Sequence, residues 1–206
     1  LREALKWLYF SVTWWVVRAG TDAAVCHYPA IEQELRKAGY RKPVLVQTQY
    51  GVDSDTFRPN PEVGNRIRKE LGLSGTVIGF CGRLVEEKGV WDILAAAKSL
   101  TGEWSLLLVG DGPLREPIEQ WCVENDLRDR IRIVGYVPHD EVQNHFAAMD
   151  VFVLGSRDTP TYIDTFPLVV AQAMMTGLPV IGSDGGAIPY QVDDPDLVFP
   201  QGDAQT

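Results

Sequence analysis

Two pairs of residues in this chain have the types and spacing to do chemistry. Arg83 and Lys88 lie five positions apart in CGRLVEEKG. Asp164 and Gln172 lie eight apart in LGSRDTPTYIDTFPLVVAQAMMTGLPVIGSDGGAIP, residues 154–189. An arginine fork beside a lysine point charge suits two neighbouring phosphates. The competing reading is a pair of ordinary solvated cations. A carboxylate accepts hydrogen bonds and so suits the hydroxyls of a sugar or ribose. Alternatively, Asp164 only caps the helix that follows it. Eight residues slightly exceed two helical turns, so Asp164 and Gln172 can face one ligand. That helix is expected to begin at Pro167, and its free N–H groups would make an anion site.

These residues need a frame. Short apolar runs rich in β-branched residues read as strands at Val77–Phe80, Leu106–Val109, Ile131–Val134, Val151–Leu154 and Val180–Ile181. Helical patterns lie between them, carried by Val90, Trp91, Ile93, Leu94 and Ala97, by Leu114, Ile118, Trp121 and Cys122, and by Val142, Phe146 and Met149. Alternation at this interval predicts right-handed βαβ units and an α/β fold: a Rossmann-like parallel sheet with helices on both faces. Ligands of such sheets gather beyond the carboxyl ends of the strands. Arg83, Lys88 and Asp164 all follow strands.

Other strand ends carry weaker signals. In VGDGPLREP, Gly110 and Gly112 resemble half of a dinucleotide fingerprint, but Arg115 occupies the third glycine position. The two glycines either let the backbone turn tightly into a helix at Pro113 or let a ligand approach. The missing glycine and the lack of a matching acid argue against a nicotinamide-dependent oxidoreductase. In GYVPHDEV, Tyr136 and Val137 can offer backbone N–H and C=O groups to a flat base. His139 reads as a surface residue near a helix start, and neither His27 nor His145 has a partner at metal spacing.

Composition narrows the classes. The chain has 206 residues and a formal net charge of -9, which argues against broad binding to nucleic acid or anionic membranes while leaving room for one local positive pocket. Cys26, Cys81 and Cys122 are far apart and odd in number. They read as buried free thiols in a reducing cytoplasm, not as a disulfide frame or metal site. No P-loop and no Ser-His-Asp constellation can be assembled.

Residues 1–50 read differently: a helix over Arg2–Ala19, a strand at Ala23–Cys26, a helix over Pro29–Ala38 and a strand at Pro43–Gln47. GVDSDTFRPNP then forms a polar domain boundary. The apolar segment LKWLYFSVTWWVV is too short for a bilayer span, which takes about 20 residues. Trp7, Trp14 and Trp15 beside Lys6 and Arg18 are compatible with peripheral membrane contact, though packing against another part of the protein is favoured. Both ends read as cut.

Taken in order, GVDSDTFRP, CGRLVEEKG, LLLVGDGPLR, IVGYVPHDEV and AMMTGLPVIGSDGGAIP resemble the nucleotide-sugar domain of the retaining GT-B glycosyltransferases of family four. The resemblance runs from about Gly51 to Asp203. It implies a donor domain over 51–206, truncated at its C-terminus, preceded at 1–50 by the tail of an acceptor-binding domain. It implies transfer of a hexose from a UDP-, GDP- or ADP-linked sugar to a carbohydrate or lipid-linked hydroxyl. No metal or other cofactor is expected, and the work would be done in the cytoplasm, at or near the inner membrane face. Arg83 and Lys88 would bind the diphosphate, and Tyr136 and Val137 the base. Gly82, Gly110, Thr165 and Phe166 would line the donor. The family has two glutamates where this chain has Asp164 and Gln172, a glycine at Pro167 and usually a glutamate at Tyr190. These departures imply either lowered activity or a different donor, and a catalytically weakened binding module is the alternative.

Overall fold

The computed structural model describes residues 2–48 and 50–205, with side chains from Ser11 onward. The chain divides into two compact units, 1–50 and 51–206. The first holds helix α1 (Arg2–Gly20), strand β1 (Ala24–Cys26), helix α2 (Pro29–Lys37) and strand β2 (Val44–Val46). β1 and β2 pair in parallel, with Ala24 beside Val44. No helix among the described residues is long and apolar enough to cross a membrane.

The second unit is an α/β domain built on six parallel strands. In chain order it runs α3 (Pro61–Leu71), β3 (Thr76–Cys81), α4 (Val90–Lys98), β4 (Trp104–Val109), α5 (Arg115–Glu124), β5 (Ile131–Gly135), α6 (Val142–Phe146), β6 (Val151–Leu154), α7 (Leu168–Met175), β7 (Val180–Ser183), α8 (Ile188–Val192) and β8 (Val198–Phe199). β4 is buried along its whole length, which explains its nearly continuous apolar run, broken only by Ser105, whose hydroxyl donates to the Ser74 carbonyl: it has a strand on each side and layers above and below. Helices cover both faces. Phe146 of α6 packs edge-on to Phe152, while Ile188 of α8 fills the space beside Gly182 on the same face. Asp92, Ile93 and Ala97 of α4 lie over Ile78, Val151 and Ile181 on the other.

The expected strands are present, most of them a residue or two longer. Two helix starts differ from expectation. α5 begins at Arg115, not Pro113, because Leu114 N–H is drawn to the Leu84 carbonyl at 3.1 Å. α7 begins at Leu168: Pro167, at ψ 96°, is extended and acts as the N-cap. α3 was not among the expected helices. It is started by Asn60, whose side chain accepts from Val63 N–H, and closed by Gly72 in the left-handed conformation.

The sheet order is β5-β4-β3-β6-β7-β8. The chain builds outward from β3 to β5, then returns to lay β6 on the other side of β3. The reversal opens a crevice between the carboxyl ends of β3 and β6, the place where sheets of this topology hold ligands.

Candidate functional site

The loops that meet at this crevice carry Lys88 and Asp164. After β3 the chain forms a short 3-10 turn, Glu86–Lys88, closed by Gly89 in the left-handed conformation, which also starts α4. A Cβ on Gly89 would lie 1.8 Å from the Gly155 carbonyl oxygen. Only glycine lets the β3 and β6 loops touch here. The contact holds Lys88 beside the β6 loop, where its Nζ donates to Asp164 Oδ2 at 2.6 Å. The side chains are 14% and 10% exposed, so this is no ordinary solvated cation. Ser156 Oγ donates to the same oxygen at 2.7 Å.

The β6 loop is pinned along its length. Arg157 makes a two-pronged contact with Asp92 of α4, Nε to Oδ2 at 2.8 Å with Nη2 facing Oδ1. Arg157 N–H donates to the Glu87 carbonyl at 2.8 Å. Ser183 of β7 donates to the Ser156 carbonyl at 2.5 Å, and Ala187 N–H to the Asp164 carbonyl at 2.9 Å. The loop is a fixed shelf over the strand ends.

Burial pushes the Lys88 ammonium down from the ordinary lysine value, but the charge and hydrogen bond of Asp164, helped by Tyr162, more than reverse this, and the net shift is upward. A raised lysine contributes stability that is complete below its unfolded value and is lost as pH climbs through the folded one. The pair therefore keeps its lysine charged through neutral pH and loses it only in the alkaline range. Cys81, at the end of β3, is pushed up to about 12, chiefly by burial, with Lys88 opposing. Three units above the usual thiol, it should alkylate roughly a thousandfold more slowly than a free cysteine at pH 8. Mass spectrometry of the native protein treated with iodoacetamide checks this, and rapid labelling of Cys81 would show it to be wrong.

The remaining expected site residues are placed as follows. Arg83 is exposed at the end of β3, with no ion pair among the described residues. Gly82 and Gly110 face each other, since a Cβ on Gly110 would lie 1.9 Å from the Gly82 carbonyl oxygen. That close approach accounts for Gly110 as a backbone contact between loops. Tyr136 is 80% exposed beyond β5, while Val137 packs on the core edge. Thr165 is exposed and Phe166 half-buried, both directly after Asp164. Gln172 is buried in the second turn of α7.

Two readings of Asp164 are corrected. It lies four residues before the first residue of α7, so helical spacing does not relate it to Gln172. Nor does it cap the helix, whose start has no side-chain cap; its carboxylate is taken by Lys88 and Ser156. Ser156, Asp92, Arg157 and Tyr162 are contributors that the sequence reading missed. The only signal for Ser156, Arg157 and Tyr162 was their polarity in the loop directly after a buried strand; Asp92 is an acid on the buried face of α4. Among the described residues no group of three or more His, Cys, Asp or Glu side chains gathers as for a metal ion. A hollow of about 480 Å³ beside β5, lined by Glu119, Cys122 and Arg132, contains none of the cluster.

The fold and sequence have relatives. Over 173 residues the chain is 33% identical to the putative teichuronic acid biosynthesis glycosyltransferase TuaC of Bacillus subtilis, covering 82% of this chain and 40% of that protein. It superposes on HepE of Anabaena, solved in complex with UDP, with a TM-score of 0.78 at 22% identity, covering 92% of this chain and 53% of the other. Sucrose-phosphate synthase from Thermosynechococcus elongatus gives a TM-score of 0.75 at 27% identity, covering 94% and 50%. The chain thus spans about half or less of these relatives. The family described as glycosyl transferases group 1 matches residues 75–206, which take in the whole crevice from β3 to β8. That match, over more than half of the chain, together with the 33% identity to TuaC, makes this chain a member of the glycosyl transferases group 1 family.

Proposed function

We propose that residues 51–206 form the donor half of a glycosyltransferase that moves a hexose from a nucleoside diphosphate sugar to an acceptor hydroxyl with retention. The observation that carries this reading is the Lys88–Asp164 pair in the crevice between β3 and β6. Lys88 and the exposed Arg83 hold the diphosphate and stabilise the charge that grows on it as the sugar bond breaks. Tyr136 and Val137 stand two strands from β3, roughly 10 Å away at ordinary strand spacing. A nucleoside diphosphate bridges such a gap, with its base against their backbone. Thr165 and Phe166 border the sugar, and Gln172 offers an amide oxygen to the ribose. UDP in HepE and the naming of TuaC as a glycosyltransferase favour this reading. Residues 1–50 then belong to the acceptor side.

Titration of the full-length protein with UDP, GDP and ADP tests the donor site. One of the three should bind, and Arg83→Ala should weaken it roughly 10-fold, the worth of one charged hydrogen bond. Failure of all three to bind rejects the reading.

A second reading, a binding module without turnover, is favoured by one feature. The Asp164 carboxylate is occupied by Lys88 and Ser156, and Pro167 brings no N–H to the start of α7. Robust sugar transfer by the unaltered full-length protein removes it.

A further inference from the structure

We propose that Arg115 is a specificity-determining residue of the donor site: its guanidinium, fixed beside the end of β5, favours a base that presents a ring carbonyl, uracil or guanine, over adenine, which presents an amino group. The inference rests on the reading given above, in which the base lies against the Tyr136–Val137 backbone.

Arg115 opens α5 at the place where a dinucleotide fingerprint would need glycine. Its side chain is anchored from both sides. Nε donates to Glu119 Oε1 at 3.0 Å, and Nη1 donates to Asp111 Oδ2 at 3.0 Å. Asp111 is itself fixed, because its Oδ1 accepts from Gly112 N–H at 2.8 Å. One exposed ion pair contributes little to stability, but two that converge on one guanidinium set its direction. That direction is toward β5. A Cβ on Gly135 would lie 2.8 Å from Arg115 Nη1 and 3.8 Å from Cζ, so the missing side chain is what gives the guanidinium its place. Gly135 is left-handed at φ +85°, and β5 carries a bulge just before it: Leu108 pairs with Ile133 but Val109 with Gly135, which leaves Val134 out of register. A bulge re-aims the chain at a strand end, and Gly110 N–H locks the result by donating to the Gly135 carbonyl at 2.9 Å. The guanidinium therefore sits one residue from Tyr136, where the backbone assigned to the base begins.

A guanidinium has five N–H donors and no acceptor. Among the described residues its Nε and Nη1 bonds use two of them, and Nη2 has no partner. The remaining donors suit O4 of uracil or O6 of guanine, which accept. Adenine carries an amino group, N6, in the corresponding place, and would meet the fork donor to donor. A site built to bond one such group discriminates strongly against an analogue that cannot complete the bond. The charge of the cluster excludes the other end of the nucleotide. Two carboxylates on one guanidinium leave it negative overall, so it repels a diphosphate and leaves that group to Arg83 and Lys88. Asp111 and Glu119 also set the fork before the ligand arrives, which removes part of the entropy cost of ordering it.

The test is titration of the full-length protein and its Arg115→Met variant with UDP, GDP and ADP. The parent should bind UDP or GDP roughly 10-fold or more tightly than ADP, the range of one hydrogen bond to a charged group. Arg115→Met should lose roughly 10-fold on the favoured nucleotide and less than about twofold on ADP, so that the preference largely disappears. The Arg115 side chain is 38% exposed, and the variant should melt close to the parent. Three results overturn the proposal. A parent that binds ADP as tightly as the other two does not select on the ring carbonyl. An equal loss on all three nucleotides places the effect at the phosphates or in the loop. A preference unchanged in the variant shows that the fork takes no part in it. A parent that binds none of the three instead overturns the donor-site reading itself.

Discussion

Full-length protein carrying Lys88→Met is expected to bind a nucleoside diphosphate roughly 10- to 100-fold more weakly than the unaltered protein, because a hydrogen bond to a charged group contributes about 1.5–3 kcal/mol. Methionine keeps much of the stem and removes the ammonium, so packing changes little. The effect reaches beyond the ligand. Asp164 loses its partner at 2.6 Å and keeps only Ser156 on a carboxylate that is 10% exposed. Leaving one member of a buried pair without its counterpart costs about 3 kcal/mol, which for a chain of this size lowers Tm by roughly 6–12 °C. Calorimetric titration and thermal melts check both halves. A Lys88→Met protein that binds as tightly as the parent removes Lys88 from the site.

Gly89→Val is the second substitution with a severe expected outcome. Gly89 has φ +63°, and its missing side chain would meet the Gly155 carbonyl oxygen at 1.8 Å and carbon at 2.5 Å. The left-handed conformation alone costs a branched residue about 1–2 kcal/mol. The collision with backbone, which cannot swing aside as a side chain can, adds roughly 1–3 kcal/mol. Tm should fall by roughly 10 °C, and nucleotide binding with it, because this contact sets the gap between the Lys88 turn and the Asp164 loop. Gly102→Ala supplies the control. Gly102 has φ +83° but nothing within 4 Å of its absent side chain, so the substitution should cost only backbone strain, about 1 kcal/mol. Equal melting temperatures for Gly89→Val and Gly102→Ala would show that the loop contact is not tight in solution.

The contrast between these two glycines also shows what the sequence could and could not reveal. Period and composition were enough to find the strands Thr76–Cys81 through Val180–Ser183, because an unbroken apolar run such as LLLV, residues 106–109, has few alternatives to a buried strand. The helix Pro61–Leu71 was missed although its start and stop signals, Asn60 before Pro61 and Gly72 after Leu71, are present, because they adjoin a stretch dominated by turn residues. Lys88 and Asp164 stand 76 positions apart, so their meeting depends on which strand lies beside β3. Nothing local in the chain states that β6 and not β5 takes that place. Their residue types pointed to phosphates and hydroxyls; the ion pair between them required the sheet order. Ser156 and Tyr162 were invisible for a related reason. Loop residues carry no period, and their side chains acquire direction only from the Arg157–Asp92 fork and the Thr159–Tyr162 turn.

Asp164 and Pro167 have a physical setting in the loop. The Asp164 carboxylate lies between Lys88 and Ser156, and Pro167 ends the loop with no N–H to donate. Both fit a site whose loop is braced from within before any ligand arrives.

The decisive measurement is a crystal structure of the full-length protein soaked or grown with whichever of UDP, GDP or ADP it binds. The diphosphate should lie beyond the carboxyl ends of β3 and β6, with a phosphate oxygen within about 3 Å of Lys88 Nζ, the ordinary length for a charged hydrogen bond, and with Arg83 turned toward it. A nucleotide seated elsewhere, with Lys88 still facing only Asp164 and Tyr162, would mean that this pair is a structural brace and the donor site must be sought in another part of the protein.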